Sequence, residues 1–186
     1  MKQKFNENRP VAWIVLALAV VLSIIFSGGG ALRSVRAQAL DTFHFGVNGD
    51  SLCIYNDLKA RADCAYNLAD TAARYDSIPQ EEIDRVVKAA EELDNTDDDD
   101  IAALGRANDA LDRAVESLYT EIENAALSEK DATFALSQYK EFTSRGLTIS
   151  RDGYNGQAEA FNELLGGFPA SLVGMFSGVR ELPLFR

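Results

Sequence analysis

The sequence predicts an all-α fold: a single N-terminal transmembrane helix followed by an extracytoplasmic antiparallel helical bundle of long helices, four-helix-bundle-like. Three observations carry this prediction. No charged residue falls between Val11 and Leu32, and a helix rising about 1.5 Å per residue needs about 20 apolar residues to cross a hydrocarbon core. Beyond Tyr55, apolar residues recur at alternating steps of three and four, the period of a helix with one buried face. No stretch alternates apolar and polar residues for long enough to make a core strand, which leaves helices to build the interior.

Residues 1–10 form a short flank in which Lys2, Lys4 and Arg9 face a single acid, Glu7. Basic flanks stay in the cytoplasm, so the bulk is expected outside it, in a single-pass cell-membrane protein with a cytoplasmic amino terminus. The span, 11–32, includes Val11, Trp13, Leu16, Val21, Ile25 and Phe26, with Trp13 placed as an interfacial anchor and Gly28 to Gly30 loosening the exit from the bilayer. Ala37-Gln38-Ala39 offers the competing reading of a signal-peptidase site. The length of the apolar run, and Arg33 and Arg36 between it and that site, favour retention.

Residues 33–51 read as a linker rich in turn formers, with Phe43, His44 and Phe45 resting on the membrane surface or on the domain. The bundle is expected over 52–168. Its first seam runs through Tyr55, Leu58, Ala62, Ala65, Ala69 and Ala72, alanine-rich and so suited to close helix packing, while Lys59, Arg61 and Arg74 are assigned to the outer face. Ser77-Ile78-Pro79-Gln80 marks a break, with Ser77 as cap, Pro79 in the first turn and Gln80 closing a capping box. Ile83, Val86, Val87 and Ala90 carry the next helix to about Leu93.

The acidic run Asp94 to Asp100 invites a calcium reading and fails it. Counted from Asp94, the sixth loop position is Asp99 where an EF-hand needs Gly, and the twelfth is Gly105 where it needs Glu. A solvated loop that loads acids at the next helix start is the expectation. Ile101, Leu104, Leu111, Val115, Leu118, Ile122 and Ala125 form that helix. Ser128 with Asp131 opens the last one, whose inner side is assigned to Phe134, Tyr139, Phe142, Leu147, Tyr154, Phe161 and Leu164. Gly146, Gly153 and Gly156 each cost about 1 kcal/mol inside it, so packing must offset them. Asn155 and Asn162, seven residues apart, share one face, and with Tyr154 and Phe161 they are expected to fix the bundle register by hydrogen bonds within it.

Gly166-Gly167-Phe168-Pro169 stops that helix. The tail, 169–186, is apolar through Leu172, Val173, Met175, Phe176 and Val179 and again at Leu184 and Phe185. It is read as the main contact surface beyond the bundle, packing on its own helices, on a neighbouring copy, or in the membrane interface. The membrane destination ranks last, because interfacial helices carry a basic face and the tail sets only Arg180 among its apolar residues.

Site chemistry is sparse. His44 is the single histidine and has no ligand-spaced partner, and Cys53 and Cys64 read as small buried thiols. If both lie on one helix they are about 16.5 Å apart along its axis, beyond disulfide reach. There is no Glu-x-x-His pair, no G-x-S-x-G elbow and no phosphate-cradling glycine loop. With 18 Lys and Arg against 29 Asp and Glu, a net charge of −11, nucleic acid is not an expected partner.

One set of motifs has a family likeness. Arg151, Tyr154-Asn155, Phe161-Asn162, Phe168-Pro169 and the glycine-rich, aromatic ending through Phe176 and Phe185 are similar to the R-x-x-Y-N, second aromatic-Asn, F-P and terminal aromatic of the LemA family of membrane-anchored bacterial proteins. Tyr55-Asn56 with Arg74, Asp76, Ile78 and Pro79 resembles that family's early Y-N and R-x-D-x-I-P turn. The chain departs from it at Gln80-Glu81-Glu82, Thr143-Ser144, Gly146 and Gly153. The resemblance implies one amino-terminal span, an extracytoplasmic bundle and no established enzymatic activity. Together these readings predict a non-enzymatic structural or interaction scaffold at the cell envelope, without cofactor or metal, coiled-coil-like and self-assembling as a homo-oligomer, with envelope proteins as further partners. The alternative is a ligand-sensing bundle that works with a separate signalling protein.

Overall fold

The computed structural model describes residues 9–186; Lys2, Lys4 and Glu7 of the amino-terminal flank lie outside the described residues. Every element is helical, and among the described residues there is no strand. The chain gathers into two compact units, one of residues through Ala39 with Gly156–Leu182, the other of Leu40–Asn155 with Pro183–Arg186.

Helix α1 (Arg9–Phe45) is 37 residues long, about 55 Å at the helical rise, and it is long and apolar enough to cross a membrane. Val11, Trp13, Leu16, Val21 and Phe26 are all exposed, and Ile25 is half-buried. From Ile25 on, the helix acquires a buried stripe through Gly29, Leu32, Ala39 and, in the second unit, Phe43. The linker expected at 33–51 is therefore mostly helix. Arg, Ala and Leu between 33 and 40 are strong helix formers, and nothing interrupts the turn until Gly46. That glycine has φ +79°, and a Cβ there would meet the Asp50 carboxylate and the Leu52 backbone, so only glycine fits the chain reversal. Ala37-Gln38-Ala39 lies within the helix, with Ala39 buried.

The second unit is a bundle of α2 (Ile54–Ala72), α3 (Gln80–Asn95), α4 (Ile101–Asn124) and α5 (Glu129–Arg151). Helix α2 packs on α5, α3 and α4, and α3 on α4. The α2–α5 pair is antiparallel, as the partners show: Asp57 with Arg145, Asn67 with Gln138, and Arg74 with Asp131. Leu58, Ala62, Ala65, Ala69 and Ala72 are buried, and Leu68 joins them. From α4 come Ile101, Leu104, Leu111, Val115, Leu118 and Ile122. Asp100 caps α4 by accepting from the Ala103 N–H at 2.9 Å, and Ser128 caps α5 by accepting from Asp131 at 3.2 Å. At α3 the sequence reading is corrected: the helix starts after Pro79 with no side-chain cap, and the Gln80 amide donates to Asp84 instead.

Two further corrections concern the last predicted helix. It is two helices, α5 and α6 (Tyr154–Gly166), parted at Asp152-Gly153. The Asp152 carboxylate accepts from the Tyr154 N–H at 2.7 Å, a local bond that competes with helix continuation where Gly153 already weakens it. The inner face of α5 is Ala135, Phe142 and Ile149, spaced by seven, whereas Phe134 and Leu147 are exposed, as is Leu164 on α6. Tyr139 stacks flat on Tyr119 at 3.7 Å between centroids.

The acidic loop is a solvated connection. Asp94 accepts from Lys59 and the Tyr66 hydroxyl, Asp98 from the Tyr55 hydroxyl, and Asp97 from the Asp99 N–H. Among the described residues no three His, Cys, Asp or Glu side chains converge as a metal site.

This packing yields a stability contrast. Leu118 is fully buried and Leu147 is 58% exposed. Leu118→Ala should cost about 2–5 kcal/mol in urea unfolding, and Leu147→Ala less than about 0.5 kcal/mol; equal costs would refute the placement of the α5 face.

Candidate functional site: a buried arginine and a seated carboxy-terminal tail

Arg61 lies inside the bundle, only 1% exposed, which corrects its assignment to the outer face. Its position follows from the helix period, three residues after Leu58 and four before Ala65. One guanidinium nitrogen donates to the Asn108 side chain and another to Asp112, both on α4. The Phe142 ring of α5 lies 4.1 Å below the guanidinium, close enough for a cation–π contact worth about 2 kcal/mol when desolvated. Nε is buried and has no partner. Gly146 stands beside the group: an added Cβ would sit 3.5 Å from Cζ, so a methyl fits and a longer side chain would press on the charge.

A second pair lies in the same unit. The buried Asp57 carboxylate accepts from Arg145 at 2.9 Å, and Arg145 also donates to Glu141 at 2.7 Å. Beside these groups opens a cavity of about 600 Å³, lined by Arg61, Asn108, Asp112, Asp152, Asn155 and Arg186 among others. Burial pushes the Asp152 carboxyl above its ordinary range, and the negative charge of Asp57 adds to the shift against the opposing Tyr154 N–H. The hydroxyls on the cavity wall are engaged elsewhere, Thr143 donating to the carbonyls of Tyr139 and Lys140 and Ser150 to that of Leu147. The cavity wall thus presents a guanidinium, carboxylates and two side-chain amides, groups able to hold and orient a small polar molecule.

The sequence-predicted register residues hold the tail. Asn155 donates to the Phe185 carbonyl at 2.9 Å and accepts from the Phe185 N–H at 2.8 Å. The Tyr154 hydroxyl donates to the Pro183 carbonyl at 2.7 Å. In the first unit Asn162 does the same for Leu182, at 2.9 and 2.8 Å, and Phe161 is buried. The expectation of hydrogen bonds from helix to helix is corrected: each asparagine reads both backbone groups of one tail residue. An amide carries donor and acceptor on one plane, which is what a single extended residue presents.

The tail residues divide. Phe185 is buried against Phe43, with ring centroids 5.9 Å apart, and Phe43 meets the Tyr154 ring edge-on at 5.1 Å. Leu184 is half-buried. The backbone of Arg186 packs on Gly105, where a Cβ would overlap it. In the first unit Val173 is buried and Val179 half-buried, while Leu172, Met175 and Phe176 are exposed.

The remaining candidates are inert. Cys53 and Cys64 are free and buried, and burial pushes both thiols up, which keeps them protonated and unreactive. His44 is half-buried, its Nε2 3.8 Å from Asp99 and its ring against Tyr55. The reading of the sequence missed Asp57, Asn108, Asp112 and Arg145. The signal available was Gly146, a glycine in a helix interior facing a charged position of the α2 seam.

An antiparallel helical bundle with an amino-terminal helix fit to span a membrane defines a class of anchored helical proteins. Within that class the chain belongs to the LemA family, whose model matches residues 52–186. No curated protein and no solved structure matches it.

Two measurements probe the site. Asp112→Ala leaves the Arg61 charge buried without its carboxylate and should cost about 3 kcal/mol, more than Arg61→Met, which removes the charge itself; the reverse order in urea unfolding would contradict the buried-ion reading. For Asp152, a raised folded pKa means that its contribution to stability is full below the unfolded value and is lost as pH rises through the folded one. Asp152→Asn keeps the acceptor for the Tyr154 N–H, so it should match the parent near pH 3 and exceed it in Tm near pH 7; a constant difference across that range would dismiss the shift.

Proposed function

We propose that this chain is a membrane-anchored, non-enzymatic interaction scaffold of the cell envelope, with a cytoplasmic amino terminus and residues 33–186 on the far side. The observation that carries this reading is the exposure of α1 from Val11 to Phe26. Nothing among the described residues covers that apolar surface, and it is long enough to require lipid. The basic residues preceding the span support the orientation. Self-assembly is part of the reading: α5 leaves Leu136 and Leu147 exposed on one side and Phe134 on the other, apolar positions at which copies or envelope partners would meet.

A second reading has its own observation. The cavity beside Arg61 is within the size range of small-molecule sites and supports a ligand-sensing bundle coupled to a separate signalling protein. Its discriminator is a small polar compound that raises the Tm of the parent and not of Arg61→Met.

The buried thiols rule out native cysteine labelling as a topology test, so the exposed loop at 97–99 serves instead. A protease site inserted there should be cut in intact cells while the chain resists extraction from membranes by urea. Cleavage only after lysis would overturn the orientation, and release by urea would overturn the anchor.

A further inference from the structure

We propose that helix α7 (Ala170–Ser177) is a second membrane-contact element, lying in the lipid interface and binding the phosphate of an anionic phospholipid in a cleft of three arginines. The proposal rests on reading α1 as a span, and every residue it uses belongs to the first compact unit.

Helix α7 is fixed to α1 by close approach. A Cβ on Gly28 would lie 3.1 Å from Val173, and one on Gly29 would lie 2.6 Å from the Ser177 side chain. Glycine at these two positions lets the helices touch. Val173 is buried in the contact, and Gly174 is buried against Leu165 of α6. Leu172, Met175 and Phe176, related by steps of three and four, then share the opposite face and are 48%, 68% and 65% exposed, with Phe168 one turn earlier at 84%.

The depth of that face is set by where it docks. Gly28 is four residues before Leu32, the end of the uncharged run, so α7 meets α1 about 6 Å inside the apolar boundary. Interfacial helices bury their apolar faces to about that depth. The exposed side chains of α7 are thus continuous with the exposed apolar surface of Val11 to Phe26, and lipid is the medium that covers both.

The basic face missing from the tail is supplied by α1. The Arg33 guanidinium donates to the Ser177 carbonyl and Arg36 Nε to the Arg180 carbonyl at 3.2 Å. These bonds close α7 and the residues after it around a cleft of about 280 Å³ lined by Arg33, Arg36, Arg180, Gly178 and Val179. In a chain of net charge −11, a cleft with three cations and no carboxylate in its lining, its two α1 arginines within about one turn of the end of the apolar run, matches the headgroup phosphate of an anionic lipid.

The test uses the full-length chain in vesicles. Trp13 is the single tryptophan, so the parent reports the span. Trp13→Phe combined with Met175→Trp, at an exposed position, reports α7. The expected result is quenching of both reporters by acyl-brominated lipid and shielding of the α7 reporter from iodide. Brominated phosphatidylglycerol should quench that reporter roughly fivefold more effectively than brominated phosphatidylcholine, a preference lost when Arg33, Arg36 and Arg180 are all changed to Gln and unaffected by millimolar inorganic phosphate. An iodide-accessible α7 reporter beside a lipid-quenched Trp13 would overturn the proposal and leave the span intact. Shielding from both quenchers would replace lipid by a second copy. Loss of lipid quenching at Trp13 itself would overturn the span reading. Equal quenching by the two lipids, or competition by free phosphate, would overturn the headgroup assignment.

Discussion

The bundle is arranged around a buried guanidinium. Removing a charge from water costs several kcal/mol per ion even after relaxation, and Arg61 is nearly inaccessible. Two helices supply what offsets that cost: α4 gives Asn108 and Asp112, and α5 gives the face of Phe142 and the space left by Gly146. A one-turn slip of α2 against α4 would take the charge away from at least one of Asn108 and Asp112. The antiparallel pairs that flank it, Asp57 with Arg145 and Arg74 with Asp131, fall in the same register. The buried ion therefore selects one alignment among several that an alanine-rich seam would accept, since small side chains interlock weakly and discriminate register poorly.

The carboxy-terminal tail follows a different rule. Its last residues make no helix, so their backbone groups need partners from elsewhere. Side-chain amides serve, Asn155 for Phe185 and Asn162 for Leu182, each satisfying a donor and an acceptor together. This is why the asparagines are regularly spaced along α6 without facing another helix. Apolar tail residues divide between buried anchors such as Phe185 and exposed ones such as Phe176, so the tail's apolar character reflects two separate demands.

The chain belongs to the LemA family, and its amino-terminal helix, long and apolar enough to cross a membrane, carries more than an apolar surface. Where α1 leaves the apolar run it offers glycines for close helix contact and then arginines for polar contact. A helix with both features presents a docking strip at the end of its apolar run, and α7 occupies it.

Much of this was legible in the sequence, because it depends on periodicity and on water. An uncharged run of bilayer length, apolar residues at helical steps and the absence of alternation determined a long apolar amino-terminal helix, the all-helical class and the core of α2 and α4. What only the tertiary structure decided involves residues whose role depends on a partner far along the chain. Arg61 has the composition of a surface residue, and it became buried because α4 and α5 bring Asn108, Asp112 and Phe142 to it. Residues 33–45 have turn-forming content late in the segment, yet the helix of the span runs on through them because the breaker arrives only at Gly46. Phe134 and Leu147 look like core and lie outside, since the α5 seam is set by Ala135, Phe142 and Ile149. The tail sets Arg180 among its apolar residues, and the fold adds Arg33 and Arg36 from α1 beside it. Local pattern reports how each segment meets water, whereas the match of charge, volume and hydrogen-bonding groups between distant segments exists only once the chain has brought them together.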